Sequence, residues 1–330
     1  MATLKRWNGT AWRPVGEDTY APIGSVGGGV VHSVLNFGAV GDGTTDDTAA
    51  IQSAIDTSSP GSVVYFPAGV YLVTDTILLA PGRTYCGPGA ATAQDAVIRQ
   101  SSGANMTAPI LAAQVWASPV ATVCDEPVTV HDLCIDGNRA NNTGTADGIL
   151  LINYWSRLER LTILNCGGAA IRLTDRKQNA ADITNSCSEN RVLACKIDNC
   201  GSGIVQESYN SISNQDGYCE SNLISGITAG PAIDFARASG WAFRRNHTFG
   251  VEASSAVILW NCFSTVVEHN YIEEFGLDDE GWFSGIEMHL LNDWGTAVTG
   301  NMVSVFDHPG ANENRAYSIS AQGGQSNARM

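Results

Sequence analysis

Residues 34–55 read VLNFGAVGDGTTDDTAAIQSAI, and residues 61–73 read GSVVYFPAGVYLV. The glycine-rich turn in the first stretch places Asp46 and Asp47 before a segment whose apolar residues, at positions 51, 54 and 55, have helical spacing. Carboxylates are favourable at a helix N-terminus, so we expect a short helix over residues 46–56. The second stretch predicts two β-rich strands, separated by a break at Pro67-Ala68-Gly69.

These two stretches closely resemble the N-terminal segment of the pectate-lyase-like family of right-handed parallel β-helices, which includes many phage tailspikes and polysaccharide hydrolases and lyases. The resemblance covers residues 34–73. It implies an all-β fold, a single-stranded right-handed parallel β-helix (solenoid) with a short N-terminal capping helix. In that family this segment caps the first coil, so the resemblance gives capping roles to Asp42, Asp46 and Asp47.

Internal periodicity supports the same fold, because a solenoid repeats one structural unit along the chain. Short strands led by Gly or Ala recur, and their second residues are Ile149, Ile171, Ile204, Ile233, Val257, Ile286 and Tyr317. A second column keeps step with the first, at Ile135, Ile163, Ile197, Ile224, Thr248, Ile272 and Val303. Two columns that stay in step through intervals of unequal length predict roughly eight to ten stacked coils with loops of variable length.

Side chains of one type recur at equivalent positions of successive coils. An asparagine stands two residues before the last four members of the second column, at Asn222, Asn246, Asn270 and Asn301, and we predict that these amides stack as a structural ladder. Cys166 and Cys200 align in the same way and are expected to be neighbours in the core, with a disulfide between them as an open alternative. The nine cysteines form no C-x-x-C pair, which disfavours a zinc site and a fully paired disulfide framework.

Composition excludes several classes of partner. The chain has 18 basic and 33 acidic residues and a net charge of -15, which argues against nucleic-acid binding. No apolar run approaches the roughly 18 residues of a membrane span, so we expect no membrane insertion. No apolar stretch follows Lys5-Arg6, so we expect no signal peptide. We expect no cofactor and no metal; the acidic segment 273–282 reads as a solvated loop or groove wall, with Ca²⁺ binding as an alternative.

Residues 1–29 differ from the β-helix domain predicted for residues 30–330. Asn8-Gly9 lies between Trp7 and Trp12 and predicts a hairpin, which a Gly-rich linker follows. We interpret this segment as a docking hairpin, with a disordered N-terminus as the alternative. The resemblance to tailspikes implies a phage tail or baseplate as its partner, a virion or otherwise extracellular location, and a homotrimer. The last eleven residues read as a frayed tail instead of the long trimerisation region of many tailspikes, which leaves the homotrimer open.

Substrate must bind on an outer face, because the interior of a β-helix is filled with side chains. In the repeated strands that follow residue 148, alternation turns the third and fifth residues outward. This predicts one outer face with six side chains suited to sugar chemistry: Arg172, Glu207, Asp234, Trp260, Glu287 and His289.

The carboxylates of this face have the spacing of a glycosidase pair. Strand spacing puts the backbones of Asp234 and Glu287 roughly 9.6 Å apart, and those of Glu207 and Asp234 roughly 8 Å apart. Inverting glycosidases separate their two carboxyl groups by roughly 6.5–9.5 Å, although side-chain reach leaves the stereochemistry open. We therefore predict that Asp234, Glu287 and Glu207 are catalytic.

Four further side chains are predicted to bind substrate. Trp260 offers an aromatic face for a sugar ring, and His289 is placed to orient Glu287. Arg172 lies on the same face, and Trp282 ends the acidic segment just before the Glu287 strand.

The face and the resemblance together predict a tailspike-like glycoside hydrolase, a depolymerase that cleaves a bacterial cell-surface polysaccharide. One rival is a polysaccharide lyase that acts on a uronate-containing glycan. A lyase must neutralise the uronate with Ca²⁺ or with basic side chains, and this face has one arginine. The second rival is a non-catalytic spike that recognises a receptor glycan. A solvated sheet face without function is the remaining alternative.

Overall fold

The computed structural model describes residues 30–90, 95–185, 187–209, 215–277, 282–290, 295–305 and 314–321, and the backbone of two short strands near the N-terminus. Three parallel sheets run the length of the molecule. Each coil contributes one strand to each sheet, in the chain order B, C, A. This is a parallel β-helix of nine to ten rungs, and it confirms the predicted fold class.

Sheet A, which carries the predicted face, consists of Ile77–Leu79, Leu111–Ala113, Ile149–Leu151, Ala169–Thr174, Ser202–Glu207, Ile233–Ala236, Val257–Trp260, Ser284–Leu290 and Arg315–Ala321. Sheet B consists of Val31–Ser33, Val63–Tyr65, Thr84–Cys86, Thr129–His131, Arg157–Glu159, Asn190–Leu193, Gln215–Glu220, Ser239–Arg244, Val266–Glu268 and Ala297–Thr299. Sheet C consists of Asp42–Asp46, Gly69–Val73, Ala96–Gln100, Cys134–Asp136, Thr162–Leu164, Lys196–Asp198, Leu223–Ile227, His247–Val251, Tyr271–Ile272 and Met302–Val303.

Outside the three sheets the described chain has little regular structure. One α-helix spans Thr48–Thr57, and three 3₁₀ turns span Val34–Phe37, Gln114–Ala117 and Arg139–Asn141. None of the helices in the described ranges has the length and apolar character needed to cross a membrane. Near the N-terminus, Lys5–Trp7 and Trp12–Pro14 pair antiparallel, in agreement with the predicted hairpin. The turn and the linker lie outside the described residues, and docking remains a prediction.

The N-terminal segment caps the first coil through its carboxylates. Asp47 is buried and accepts hydrogen bonds from the backbone N–H groups of Val40 and Gly41, at 2.6 and 3.1 Å. Asp46 accepts a 3.0 Å bond from the first helical N–H, and Asp42 accepts N–H bonds that close the preceding turn. The helix turns an apolar side toward the first coil, formed by Ile51, Ala54 and Ile55.

Both predicted columns are confirmed residue by residue. In sheet A, Ile149 pairs with Ile171, and the same register continues to Tyr317. In sheet C the register runs from Ile135 to Val303. Residues at equivalent positions of successive coils are therefore direct neighbours, separated by about 4.8 Å.

The recurrent Gly or Ala before each strand of sheet A has a steric cause. A Cβ atom added at Gly203 would lie 2.1 Å from the Ala232 carbonyl oxygen and 3.0 Å from Cγ2 of Ile224. A Cβ atom at Gly285 would lie 2.4 Å from Cγ1 of Val303. The chain therefore enters sheet A past the side chains of the second column, and larger residues do not fit there.

A single residue with left-handed backbone turns the corner from sheet B to sheet C. Its φ lies between 49° and 62° in seven successive coils, at Asp132, Arg160, Ala194, Ser221, Arg245, His269 and Gly300. The next residue points into the core, and in the last four of these coils it is the predicted asparagine. Each Nδ2 donates to the Oδ1 of the next asparagine, at 2.9, 3.0 and 2.8 Å, so the ladder is confirmed.

The predicted cysteine neighbours are also confirmed. Cys166 and Cys200 are buried in the core, and the Cys166 N–H donates to the Cys200 Sγ at 3.5 Å. All nine cysteines are free thiols. Cysteine therefore serves here as a small core residue.

Replacing one ladder residue tests how much the amide stack stabilises the coils. Asn246→Ala removes the acceptor of the Asn222 backbone and side-chain N–H groups and leaves the Cys219 carbonyl without its 2.9 Å donor. Orphaned buried polar groups cost about 1–3 kcal/mol each, so we expect thermal unfolding to shift down by about 5 °C or more. Asn179→Ala, in an exposed loop, is the control and should shift by less than about 2 °C. Equal shifts in the two variants would contradict a stabilising ladder.

Candidate functional site

Six of the seven predicted site residues lie on the outer face of sheet A. The third-position row contains, in successive rungs, Arg172, Val205, Asp234, Ile258 and Glu287. The fifth-position row contains Glu207, Ala236, Trp260 and His289. Gln206, between two outward residues, is fully buried, so the strand keeps its alternation. Asp234 and Glu287 are two rungs apart with Ile258 between them, as the periodicity predicts.

Two loops cover the lower end of this face. Residues 114–125 and 175–185 pack over the first rungs and are joined by backbone hydrogen bonds. Beneath them Leu150 and Ile152, which point outward from the sheet, are buried in a second apolar cluster. Of the residues that the structure describes, these two loops leave the face uncovered from Arg172 upward, where the acidic residues begin.

Arg172 is held between two carboxylates at the lower end of the open face. Its Nε lies 2.5 Å from Oδ2 of Asp147, and one of its terminal nitrogens lies 2.5 Å from Oε1 of Glu207. The other Glu207 oxygen accepts a 3.0 Å bond from the Tyr209 hydroxyl. Asp147 is fixed in turn by the Ala169 N–H, at 2.6 Å. The guanidinium is therefore committed to ion pairs, and its predicted role in substrate binding remains a prediction.

Asp234 lies one rung above the Glu207 strand and has a different environment. Within the described part of the chain, no hydrogen bond or ion pair reaches its carboxylate. Burial raises the pKa of Asp234 to about 6; the negative charge of Glu207 adds to this rise and Arg172 opposes it. A carboxyl group with this pKa can hold a proton in mildly acidic solution and donate it.

Glu287 is oriented by two neighbours at the upper end of the face. The Ser255 hydroxyl donates to its Oε2 at 2.5 Å, and the His289 ring is hydrogen-bonded to its Oε1 at 2.6 Å. His289 also stacks on Trp260, with ring centroids 3.6 Å apart and planes 7° from parallel. Trp260 is 44% exposed, so part of this aromatic pair is accessible beside the carboxylate.

Trp282 is not part of this surface. It precedes the Ser284–Leu290 strand, is 57% exposed, and lies 4.8 Å from the Arg315 guanidinium. Trp260 ends its strand and His289 is the last residue but one of its strand, whereas Trp282 precedes the same strand. Trp282 therefore lies at the opposite end of the strands, and its predicted contact with substrate remains a prediction. Residues 278–281 of the acidic segment before it lie outside the described residues. Among the residues that are described, no group of three or more His, Cys, Asp or Glu side chains could hold a metal ion.

Three contributors to the face were not identified from the sequence. Asp147 and Ser255 each stand two residues before an inward-facing residue of the first column, at Ile149 and Val257. A search of that position as well as of the third and fifth would have found both. Tyr209 lies in the turn that follows its strand, where strand alternation gives no direction.

Comparison with known protein families agrees with the fold. Residues 31–115 match the model of a family described as Rhamnogalacturonase A/epimerase, pectate lyase-like. The chain has the pectate-lyase-like right-handed parallel β-helix fold. The family match ends before Asp147, so it does not test the residues of the face.

The curated enzymes that the sequence matches include an epimerase and a lyase. The mannuronan C5-epimerase AlgE4 of Azotobacter vinelandii is 36% identical over 125 residues, which is 36% of this chain and 21% of AlgE4. Alginate lyase 7 of the same organism is 33% identical over 126 residues, which is 36% of this chain and 14% of the lyase. The chain thus matches about a fifth or less of these relatives' length.

Solved structures match over most of the chain. The A-module of AlgE4 has a TM-score of 0.55 at 18% identity, covering 90% of this chain and 97% of the module. The tailspike of phage phiAB6, solved with three-repeated oligosaccharides of Acinetobacter baumannii surface polysaccharide, has a TM-score of 0.59 at 15% identity. That match covers 88% of this chain and 47% of the tailspike. At these identities the likeness is one of fold.

The environment of Asp234 predicts its titration. We expect an apparent pKa near 6 for this carboxyl group, measured from the side-chain carboxyl ¹³C shift against pH. Glu207→Gln should lower that pKa, because it removes a neighbouring negative charge and leaves the positive charge of Arg172. Asp198→Asn, on the outer face of sheet C, is the control and should leave the pKa unchanged. An apparent pKa below about 4.5 would contradict this description.

Proposed function

We propose that this protein is a glycoside hydrolase of the depolymerase type, which cleaves a bacterial surface polysaccharide between Asp234 and Glu287. The observation that carries the proposal is the open carboxylate pair two rungs apart, of which one member has a raised pKa and the other is oriented by Ser255 and His289. The relatives and the tailspike are named for polysaccharides, which supports a glycan as substrate.

The two carboxyl groups have distinct roles in this mechanism. Asp234 is the general acid: it holds a proton in its buried position and gives it to the glycosidic oxygen as the bond breaks. Glu287 is the general base: it takes a proton from the attacking water, and its two hydrogen bonds fix the direction of its free lone pairs. Two rungs correspond to about 9.6 Å between backbones, which leaves room for this water and favours inversion.

The surface between the acids suits a sugar ring. The stacked Trp260 and His289 rings can pack on the apolar C–H face of a pyranose, and Ile258 lies between the two carboxylates. We therefore assign contact with the sugar ring to Trp260 and His289, which were predicted to bind substrate.

Glu207 has a supporting role in this proposal instead of the catalytic one that its position suggested. Both of its oxygens are engaged, one by Arg172 and the other by Tyr209. Burial is the larger cause of the raised pKa of Asp234, and the negative charge of Glu207 adds to it. Glu207 thus helps to keep the general acid protonated.

A hydrolase fits the charges of the face better than a lyase does. A lyase needs a free cation to neutralise the uronate carboxylate, but Arg172 is bound by Asp147 and Glu207. The face is left with an excess of negative charge, which would repel a uronate at the reacting position. We therefore infer that the sugar cleaved between Asp234 and Glu287 carries no carboxylate.

Single substitutions test the acid pair. Asp234→Asn and Glu287→Gln should each reduce the release of reducing ends from the host surface glycan by about 10²–10⁴-fold, while binding changes little. Asp198→Asn, which replaces an aspartate of sheet C bonded to Ser225, is the matched control and should keep full activity.

Each rival function gives a different result in the same assay. Full activity in both site variants would reject the site. An unsaturated product that absorbs ultraviolet light would establish a lyase. If the unsubstituted protein binds the glycan but releases no product, the non-catalytic receptor-recognition spike is the function that remains.

The spacing of the pair predicts the stereochemistry. We expect the first product to carry the anomeric configuration opposite to that of the cleaved bond, observed by following the anomeric protons by NMR immediately after enzyme is added. Retention of configuration would require a covalent intermediate and carboxyl groups about 5–5.5 Å apart, which contradicts the two-rung pair.

A further inference from the structure

A second cleft lies on the outer face of sheet B, around the corner from the candidate site. It has a volume of about 490 Å³ and is lined by Thr129, Trp155, Arg157, Glu189 and Arg191. Thr129, Arg157 and Arg191 occupy one row in successive rungs. The Arg191 strand, Asn190–Leu193, follows the Arg172 strand in the chain and begins the next coil.

Trp155 stands at the edge of this cleft without a role in the core. It is 66% exposed, and its backbone has a left-handed φ of 51°. Glu189 turns the same corner one coil later, with φ of 60°. Asparagine or glycine tolerates this conformation with less strain than a bulky aromatic residue. Neither burial nor backbone preference explains a tryptophan at this position. We therefore infer that the Trp155 side chain contacts a partner outside the protein.

A donor and an acceptor flank the indole ring. Arg191 forms no ion pair within the described ranges, and its guanidinium lies 5.1 Å from the centre of the Tyr218 ring. The Glu189 carboxylate likewise has no side-chain hydrogen bond among the residues described. Arg157 is paired with Glu159, at 2.6 Å. Because Arg157 is already paired, the charges of the lining that remain for a ligand are one guanidinium, Arg191, and one carboxylate, Glu189, which balance each other.

We propose that this cleft is an accessory binding site for a neutral pyranose of a polysaccharide. Trp155 packs on the C–H face of the ring, and Arg191 and Glu189 bind its hydroxyl groups as donor and acceptor. The proposal rests on the proposed function for the class of ligand, a glycan, and does not depend on turnover.

The experiment uses ¹⁹F NMR of the full chain labelled with 5-fluorotryptophan in an Asp234→Asn background. Trp155→Asn assigns the Trp155 resonance among the eight tryptophans. The probes are maltohexaose, cellohexaose, laminarihexaose, N-acetylchitohexaose and a mannuronate hexamer. We expect at least one neutral oligosaccharide to shift the Trp155 resonance saturably, and Arg191→Ala to raise its dissociation constant about fivefold or more.

Two variants separate binding from folding. Trp155→Asn should remove from the calorimetric titration the component whose affinity matches the Trp155 shift, while its thermal unfolding temperature stays unchanged or rises, because asparagine relieves the left-handed backbone. Arg245→Ala, an exposed arginine at the corner between sheets B and C, should bind as the parent does.

Three results would overturn the inference: no neutral probe shifts the Trp155 resonance, the mannuronate hexamer shifts it more strongly than every neutral probe, or Arg191→Ala binds as the parent does. The outcome is independent of the hydrolase. Saturable Trp155 shifts without reducing-end release would remove the proposed catalysis alone, and reducing-end release without those shifts would remove the accessory site alone.

Discussion

Hydrogen bonds between successive coils hold every residue of one coil opposite a fixed residue of the next, and the site depends on that register. A slip by one residue would exchange the inward and outward side chains of a whole strand. Two features oppose such a slip: the left-handed corner between sheets B and C, and the asparagine ladder behind it. Distant segments of the chain thereby bring Asp234 and Glu287 to a set distance on one face.

The carboxylates that the register brings together differ in their burial, in their hydrogen bonds and ion pairs, and in their charged neighbours. Glu207 shares Arg172 with Asp147, whereas Asp234 is partly buried, forms no hydrogen bond or ion pair with the residues that the structure describes, and has a raised pKa. Glu287 keeps two hydrogen bonds, to Ser255 and His289. One sheet face therefore offers both a proton donor and an oriented carboxylate, the combination on which acid and base catalysis relies.

The sequence was sufficient to predict the features that depend on the periodicity of the strands. Both columns, the asparagine ladder and the outward direction of Asp234 and Glu287 follow from a spacing that recurs, because stacked coils must repeat one backbone path. The sequence was insufficient where a loop or a corner determines the position of a side chain. The loops over Leu150 and Ile152 belong to no repeat, and the ion pair that commits Arg172 comes from Asp147, at a corner where alternation does not apply.

The most direct measurement is a crystal structure of the Glu287→Gln protein with the oligosaccharide that the reducing-end assay identifies as substrate. The account predicts one sugar ring against Trp260 and His289, and a glycosidic oxygen within hydrogen-bond distance of the Asp234 carboxyl. An oligosaccharide bound only to sheet B or C, or one whose glycosidic bonds all lie beyond the reach of Asp234, would contradict it.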